Sequence, residues 1–307
     1  MEESYIELNN TCNQDCLFCI RPRKDKMTLT TKQAKEKIYD ARKNDMLVLT
    51  GGEPTIRKDL PELVSYAKSI GIKRIQIQTN AAALKDFDYT NKLKESGLDK
   101  ASVALHSHIK EKSDKITRSV SFYDTIKGIL NLYKNNIEVG YAIIINKINQ
   151  GDVCDLTNFI KDKFKKIELI SYIFVRAEES ALENKWIVPR YTDIQKDLEK
   201  AMKFCINNKI SFNVEYVPLC FLDGFEKYSV EIERIKKDIS MKNYWINKEK
   251  RTEDKKFLDR LYIKAPQCKV CFLNDVCQGI RKNYASIYGT NEFYPVYKNK
   301  EDVLKCL

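Results

Sequence analysis

Between residues 4 and 174 the sequence alternates between two kinds of hydrophobic pattern. Short apolar or alternating runs, typical of buried strands, are separated by segments in which apolar residues recur at helical spacing. Strands that alternate with helices predict parallel βαβ units with right-handed crossovers, but periodicity does not separate a barrel from an open sheet. The predicted strands are 4–8, 46–50, 74–78, 101–105, 138–145 and 167–174, and the predicted helices are 31–42, 60–70, 89–96, 121–133 and 152–162.

Three cysteines follow the first predicted strand in a C-x3-C-x2-C run: Cys12, Cys16 and Cys19. Closely spaced thiolates on one loop are typical ligands of iron–sulfur clusters. Only three thiolates are offered to four irons, so one iron would keep an open position for another ligand, as reactive metal sites do. Phe18, beside the last cysteine, is placed to shield such a cluster. A zinc site and a loop without function are the alternatives.

A second motif, Gly51-Gly52-Glu53-Pro54, directly follows the second predicted strand. The two glycines allow a tight turn and a close approach to a ligand, and the proline ends the strand. The cysteine run and this motif, in this order, resemble the radical S-adenosylmethionine (radical SAM) superfamily, and the resemblance covers essentially the whole chain. It implies an α/β fold, a partial (β/α)6 barrel of the TIM type that is open at one side.

The resemblance also implies a reaction and its cofactors. A 4Fe–4S cluster on the three cysteines would pass an electron to bound S-adenosyl-L-methionine, and the resulting 5′-deoxyadenosyl radical would abstract a hydrogen atom from the substrate. The cofactors carry this chemistry, and the protein orients them. Gly51, Gly52 and Glu53 would bind the amino group of the methionyl part. A reductant such as flavodoxin or ferredoxin would supply the electron.

Further polar residues lie at or just beyond the C-terminal ends of predicted strands, where barrels build their active sites. Gln78 and Asn80 resemble positions near the nucleoside or the substrate, although hydrogen bonding at the strand end explains them equally well. Ser102 or His106 would fill the place of a polar residue that contacts the ribose, the methionine or the substrate. A purely structural histidine is the alternative for His106.

Two arginines are candidates for binding anionic groups. Arg118 resembles the arginine that meets the carboxylate of S-adenosylmethionine, which suits the bidentate donor fork of a guanidinium. A plain surface arginine is the alternative. Arg176 follows the sixth predicted strand and is the second candidate.

Beyond residue 177 the regular alternation ceases, and a second cysteine group appears: Cys268, Cys271 and Cys277, in a C-x2-C-x5-C spacing. It resembles the auxiliary-cluster (SPASM) domain that follows many radical SAM barrels. Because no cysteine follows until Cys306, the resemblance favours the truncated form, called twitch, with one auxiliary 4Fe–4S cluster. A zinc ribbon is the alternative. We expect residues 1–210 to form the barrel and residues 211–307 the auxiliary-cluster domain.

Cys220 follows a strand predicted over 212–217 and has three interpretations. It is the fourth ligand of the auxiliary cluster, a thiol that gives a hydrogen atom to a substrate radical, or an inert side chain. Cys154 and Cys205 lie within predicted helices and are expected to be small core residues.

Composition narrows the cellular context. The chain has 307 residues, ten cysteines and a formal net charge of +11. No apolar stretch is long enough to span a bilayer and no signal-peptide pattern is present, so we expect a cytoplasmic protein without a membrane partner. In a reduced compartment, clustered cysteines bind metal rather than form disulfides. The lysines lie among acidic residues on helix faces, which argues against nucleic acid as the partner.

Three functions are compatible with these features. The leading hypothesis is the modification of a ribosomally made peptide, by epimerisation or crosslinking, with the charged segment 231–256 clasping the peptide. Because the first strand begins only a few residues into the sequence, we expect no leader-binding domain before the barrel, which counts against this hypothesis. The second is a small-molecule radical oxidoreductase or cofactor-biosynthesis enzyme. The third is a non-catalytic iron–sulfur or zinc protein that binds nucleic acid.

Overall fold

The computed structural model describes residues 3–21, 27–164, 166–236, 260–299 and 303. Most of the charged segment 231–256, and also Cys306, lie outside these residues. The interpretation of that segment as a peptide clasp therefore stays a prediction.

Seven strands form one sheet, and each strand pairs in parallel with the next along the chain. The sheet curls into a partial barrel, which confirms the predicted fold class. The strands are β1 (Glu3–Glu7), β2 (Met46–Thr50), β3 (Arg74–Thr79), β4 (Lys100–Ala104), β5 (Glu138–Ile145), β6 (Ile167–Phe174) and β7 (Phe212–Glu215).

Helices connect the strands and cover the outer face of the sheet. They are α1 (Thr31–Asp40), α2 (Leu60–Ser69), α3 (Phe87–Glu95), α4 (Lys110–Thr117), α5 (Phe122–Lys134), α6 (Val153–Lys163), α7 (Ser180–Glu183), α8 (Tyr191–Asn207) and α9 (Val230–Lys236). The start of α1 illustrates how the sequence sets these bounds. Thr30 and Gln33 form a capping box, in which each side chain accepts a hydrogen bond from the other residue's backbone N–H.

Two elements depart from the predicted pattern. The strand expected over 212–217, which we assigned to the second domain, is β7 and pairs with β6, so the sheet continues past residue 210. Helix α4 was not predicted between β4 and β5. Its eight residues contain one large apolar side chain, Ile116, and a single apolar position gives no helical periodicity.

Helix α5 packs closely against the turn that follows β3, at the C-terminal end of that strand. Helix α5 approaches the turn after β3 so closely that a Cβ at Gly128 would lie 2.0 Å from the carbonyl oxygen of Ala81. A glycine in the middle of a helix lowers helix stability, but here it allows this contact. β2 is buried along its whole length, as expected for a central strand of a covered parallel sheet.

Residues 260–299 form a small unit against the barrel. An antiparallel pair, β8 (Tyr262–Ile263) and β9 (Ile280–Arg281), leads into α10 (Lys282–Tyr288). Tyr191 of α8 joins this unit to the sheet, because its ring lies 4.1 Å from that of Phe174 and 4.5 Å from that of Tyr284, between ring centroids. Aromatic pairs of this kind contribute about 0.5–1.5 kcal/mol each beyond their buried area.

No helix in the described part of the chain combines the length and the apolar character needed to cross a bilayer.

Candidate active site

The cysteine run lies on a loop that leaves the C-terminal end of β1 and is held on two sides. At its start, the N–H of Leu8 donates to Thr50 and that of Asn10 to Met27, each at 2.8 Å. Further along, the N–H groups of Asp15 and Leu17 donate to the carbonyl oxygens of the last turn of α4, at 2.9 Å each. The unpredicted helix α4 therefore supports the cysteine loop through backbone hydrogen bonds.

The three thiols of this loop are close enough to affect one another. Burial raises the pKa of Cys12 to about 11, and the neighbouring charges of Glu53 and Cys19 add to that rise. Burial likewise raises the pKa of Cys16, with Cys19 and Cys12 as the next causes. Three thiolates cannot share such a site without a positive charge among them, and bound metal supplies that charge. The donor set therefore fits an iron–sulfur cluster.

Gly51 and Gly52 bring the second motif into contact with the cysteine loop. The N–H of Gly52 donates to Asn9 at 2.5 Å, and that of Glu53 donates to Thr11 at 2.9 Å. A Cβ at Gly51 would lie 2.3 Å from the Asn9 oxygen, and a Cβ at Gly52 would lie 2.2 Å from the Thr11 oxygen. Gly51 also has a φ of +136°, which favours glycine. The glycines are thus required by the backbone of the cysteine loop itself.

We expect Gly52→Ala to prevent the two loops from docking. The added methyl group meets backbone atoms of Asn10 and Thr11, which cannot rotate away as a side chain would. Overpacking of this kind costs about 1–3 kcal/mol or more, so the melting temperature and the iron content after anaerobic reconstitution should both fall. Gly151→Ala is the matched control, since nothing lies within 4 Å of its Cβ position. Equal iron loading in both variants would contradict this account.

Glu53 points inward and binds the end of β3. Its side chain is 1% exposed. One carboxylate oxygen accepts hydrogen bonds from Thr55 and, at 2.6 Å, from the hydroxyl of Thr79, and the other accepts the N–H of Asn80 at 2.7 Å. Burial raises the pKa of Glu53, and these hydrogen bonds oppose the rise. These hydrogen bonds fix the carboxylate against the end of β3. The binding of a ligand amino group by Gly51, Gly52 and Glu53 stays a prediction.

Asn80 connects β3 to the cysteine loop. Its side-chain N–H₂ donates to Asn13 at 2.7 Å and lies 3.7 Å from the sulfur of Cys12. Its backbone carbonyl oxygen accepts a hydrogen bond from the hydroxyl of Thr125 in α5. Hydrogen bonding at the strand end, the structural alternative for Asn80, is therefore present, and it orients a cysteine ligand.

Gln78 and Ser102 face the inside of the barrel. Gln78 pairs in register with Ser102, and Ser102 pairs with Gly140, so the three positions form a row across β3, β4 and β5. Gln78 is exposed and accepts a hydrogen bond from the hydroxyl of Thr50 at 2.7 Å. The predicted contacts of Gln78 and Ser102 with the cofactor or the substrate stay predictions.

His106 is buried and packs against the cysteine loop. Its ring meets that of Phe18 edge to face at 5.0 Å, and its Nδ1 accepts the N–H of Ile144 at 3.2 Å. Burial lowers the pKa of His106 to about 4, so the ring is neutral near pH 7. Through these contacts His106 supports Phe18, and its contact with the ribose, the methionine or the substrate stays a prediction.

Arg118 lies at the rim of the site. It ends α4 with a φ of +48°, and its guanidinium lies 3.5 Å from Asp15 and 3.1 Å from the side-chain oxygen of Asn184. An exposed ion pair of this kind contributes little to stability. The contact with Asp15 places Arg118 beside the cysteine loop, and its predicted role toward S-adenosylmethionine stays a prediction.

Cys220 and the second cysteine group surround one small cavity. Cys220, Cys268, Cys271 and Cys277 all line it, together with apolar side chains from the chain after β7. Backbone N–H groups point at the sulfurs: Val296 donates to Cys271 at 3.3 Å and Gly279 donates to Cys277 at 3.4 Å. Burial raises the pKa of Cys220 to about 12, with the neighbouring Cys277 contributing.

Four thiols around one cavity, with backbone donors on their sulfurs, fit a cluster with all its irons bound to protein. Within the described ranges, no three His, Cys, Asp or Glu side chains are arranged around a single metal ion. A 4Fe–4S cluster is wider than one metal ion, so its ligands need not converge on a single point. The shared cavity and the N–H donors support the binding of such a cluster.

The profile of the Radical SAM superfamily matches residues 6–160, which is more than half of the chain. The chain belongs to the radical SAM superfamily. Its members use a 4Fe–4S cluster and S-adenosylmethionine, and the chain is a radical SAM enzyme.

Sequence relatives of this radical SAM enzyme match about half of its length. The GTP 3′,8-cyclase of Aquifex aeolicus is 32% identical over 181 residues, covering 55% of this chain and 56% of the relative. The Fe-coproporphyrin III synthase of Methanosarcina barkeri is 33% identical over 162 residues, covering 51% and 40% respectively. The chain thus spans about half the length of the curated relatives it matches.

A solved structure extends the likeness to nearly the whole chain. Native anSMEcpe with bound AdoMet and the Kp18Cys peptide superposes with a TM-score of 0.66 at 15% identity. The match covers 99% of this radical SAM chain and 94% of that one. At this identity the likeness shows a shared fold.

Several residues that build the site were not singled out in the sequence. Asn9 donates from its side chain to Thr11 at 2.8 Å and to Glu53 at 3.3 Å, and Asn13 accepts from Asn80. Thr79 binds Glu53. The signal for the two asparagines was their position beside the cysteines, where short polar side chains often hold loop backbone.

Proposed function

We propose that this radical SAM enzyme carries a second, auxiliary 4Fe–4S cluster and modifies a peptide. The cavity shared by four cysteine thiols is the observation that supports the auxiliary cluster. The chain from residue 216 onward would then form the auxiliary-cluster domain, with β7 remaining part of the barrel sheet.

Cys12, Cys16 and Cys19 would hold three irons of the first cluster and leave the fourth for S-adenosylmethionine. When bound, the two cofactors supply a 5′-deoxyadenosyl radical, which removes a hydrogen atom from the substrate. The chain contributes position and exclusion of water. Phe18, buried against His106, covers the inner side of the loop, and Asn80 fixes the loop relative to β3.

Cys220 would be the fourth ligand of the auxiliary cluster. Its thiol lies in the same cavity as the other three, and the backbone N–H of Tyr294 donates to it. A thiol that gives a hydrogen atom to a substrate radical has to face the substrate instead. The surroundings of Cys220 therefore favour the ligand role among the three interpretations.

The likeness over nearly the whole chain supports a peptide substrate. A structure that carries a bound peptide covers 99% of this chain, including the cysteine-rich unit, whereas the likeness to the GTP 3′,8-cyclase covers 55%. A small-molecule substrate is the second candidate, because the relatives with 32–33% identity bear the names of a cyclase and a synthase that act on small molecules. Flavodoxin or ferredoxin as the reductant stays a prediction.

Deuterium transfer distinguishes the two substrate classes. The reconstituted enzyme is incubated with S-adenosylmethionine and dithionite, beside either the peptide fraction or the small-molecule fraction of cells grown in deuterated medium. We expect 5′-deoxyadenosine to gain deuterium with the peptide fraction, since the radical takes its hydrogen from the substrate. Deuterium gained only from the small-molecule fraction would contradict the peptide assignment and support the second candidate.

A further inference from the structure

Two arginines from distant parts of the chain meet at the mouth of the barrel. Arg176 follows β6, and Arg281 lies in β9. Both guanidinium groups lie against the ring of Tyr216, with their carbons 5.3 Å and 5.4 Å from its centroid. Their side chains are 18% and 10% exposed.

One carboxylate serves both arginines. Glu178 lies 3.5 Å from the Nε of Arg176 and accepts a hydrogen bond from Arg281, which also donates to the hydroxyl of Tyr262 at 3.1 Å. In the ranges that the structure describes, no other carboxylate lies within 4.0 Å of either guanidinium. Two largely buried positive charges thus share one negative charge. Because buried charges need a partner, the second positive charge is not fully compensated.

Most of the donors of this pair have no partner among the residues that the structure describes. A guanidinium has five N–H donors in a fixed planar fork. The described contacts occupy two groups on Arg281 and one on Arg176. Tyr216 and Glu178 hold both planar guanidinium groups in place, so the remaining N–H donors also have fixed directions. This preorganisation favours the binding of an anion.

The segments around the pair contact both cysteine groups. Ser180, two residues after Glu178, donates its backbone N–H to the carbonyl oxygen of Cys19 at 3.2 Å. Gly279, two residues before Arg281, donates its N–H to the sulfur of Cys277. The segments that carry Glu178 and Arg281 therefore also contact the first cysteine loop and the second cysteine group.

We propose that Arg176 and Arg281 bind an anionic group of the substrate, a carboxylate or a phosphate. This assignment deepens the proposed function, because it gives the substrate a charged anchor at the barrel mouth. Guanidinium forks bind both groups in a bidentate manner. The alternative is that Arg281 and Glu178 only fasten the C-terminal unit to the barrel.

Calorimetric titration of the reconstituted protein tests this proposal with two probes, glutarate for carboxylates and inorganic tripolyphosphate for phosphates. We expect the wild type to bind at least one of them, and the tighter probe identifies the anion. Arg176→Gln and Arg281→Gln should each weaken that binding about 10-fold to 100-fold, the loss expected from one charged hydrogen-bonding partner. Arg176→Lys keeps the charge but loses the fork, so its loss should be smaller.

Arg190→Gln is the matched control, since Arg190 also lies over a tyrosine ring, that of Tyr288 at 4.5 Å, but away from Glu178. Its affinity for the probes should equal that of the wild type. Iron content shows whether each variant is folded. If Arg281→Gln does not fold, Arg176→Gln still tests the proposal. Wild-type affinity in both glutamine variants, or no binding of either probe by the wild type, would overturn the proposal. Because binding is measured without turnover, this result is independent of whether the substrate is a peptide.

Discussion

Replacing Cys12, Cys16 and Cys19 together by alanine is expected to abolish formation of 5′-deoxyadenosine. These thiols are the ligands that we propose for the first cluster. The iron content should fall from about eight to about four per chain. The assay is chromatography of the products after incubation with S-adenosylmethionine and dithionite under anaerobic conditions.

Cys154→Ala is the matched control for this experiment. Cys154 lies on α6, where its sulfur contacts the side chain of Asn158 within the same helix. Neither the iron content nor the yield of 5′-deoxyadenosine should change in that variant. Undiminished cleavage of S-adenosylmethionine by the triple variant would show that the cluster is held elsewhere.

Changing Cys220 to alanine separates its interpretations. If Cys220 is a ligand, the auxiliary cluster loses one of four thiolates, so its EPR signal should change and its iron content should fall below about four. Cleavage of S-adenosylmethionine should continue, because the first cluster has its own three cysteines. A full complement of iron and an unchanged EPR signal, together with an altered product, would instead identify Cys220 as the hydrogen donor.

The positions of the strands could be predicted because buried parallel strands leave a strong local pattern. β2, β5 and β6 have the predicted bounds. Helix α4 has no such pattern, since its place is set by hydrogen bonds to the cysteine loop rather than by an apolar face. The seventh strand was recognised as a strand, but its membership of the sheet depends on a partner, β6, that lies far away in the sequence.

The site residues show the same division. The need for glycine at positions 51 and 52 could be predicted, but the partner that requires it is the backbone of Asn9 to Thr11. Ligand binding by Glu53 stays a prediction, but the motif did not indicate that its carboxylate also accepts hydrogen bonds from Thr79 and Asn80. Side-chain direction at a strand end depends on neighbouring strands, which no local pattern records.

The cysteines behave differently, because their chemistry limits what they can do. Cys268, Cys271 and Cys277 were grouped by spacing alone, and the fold brings them to one cavity. Cys220 lies almost fifty residues earlier, and only the tertiary structure places it beside them. Arg281 is a further case, because it lies more than a hundred residues after Arg176 and only the fold places both guanidinium groups against Tyr216.

The most direct test of the two-cluster account is the metal content of the variant that lacks Cys12, Cys16 and Cys19, measured after anaerobic reconstitution with iron and sulfide. The account predicts about four irons per chain and the EPR signal of a reduced 4Fe–4S cluster, both held by the second cysteine group. A variant that contains one zinc and no iron would contradict it, because the four cysteines around the C-terminal cavity would then form a structural zinc site.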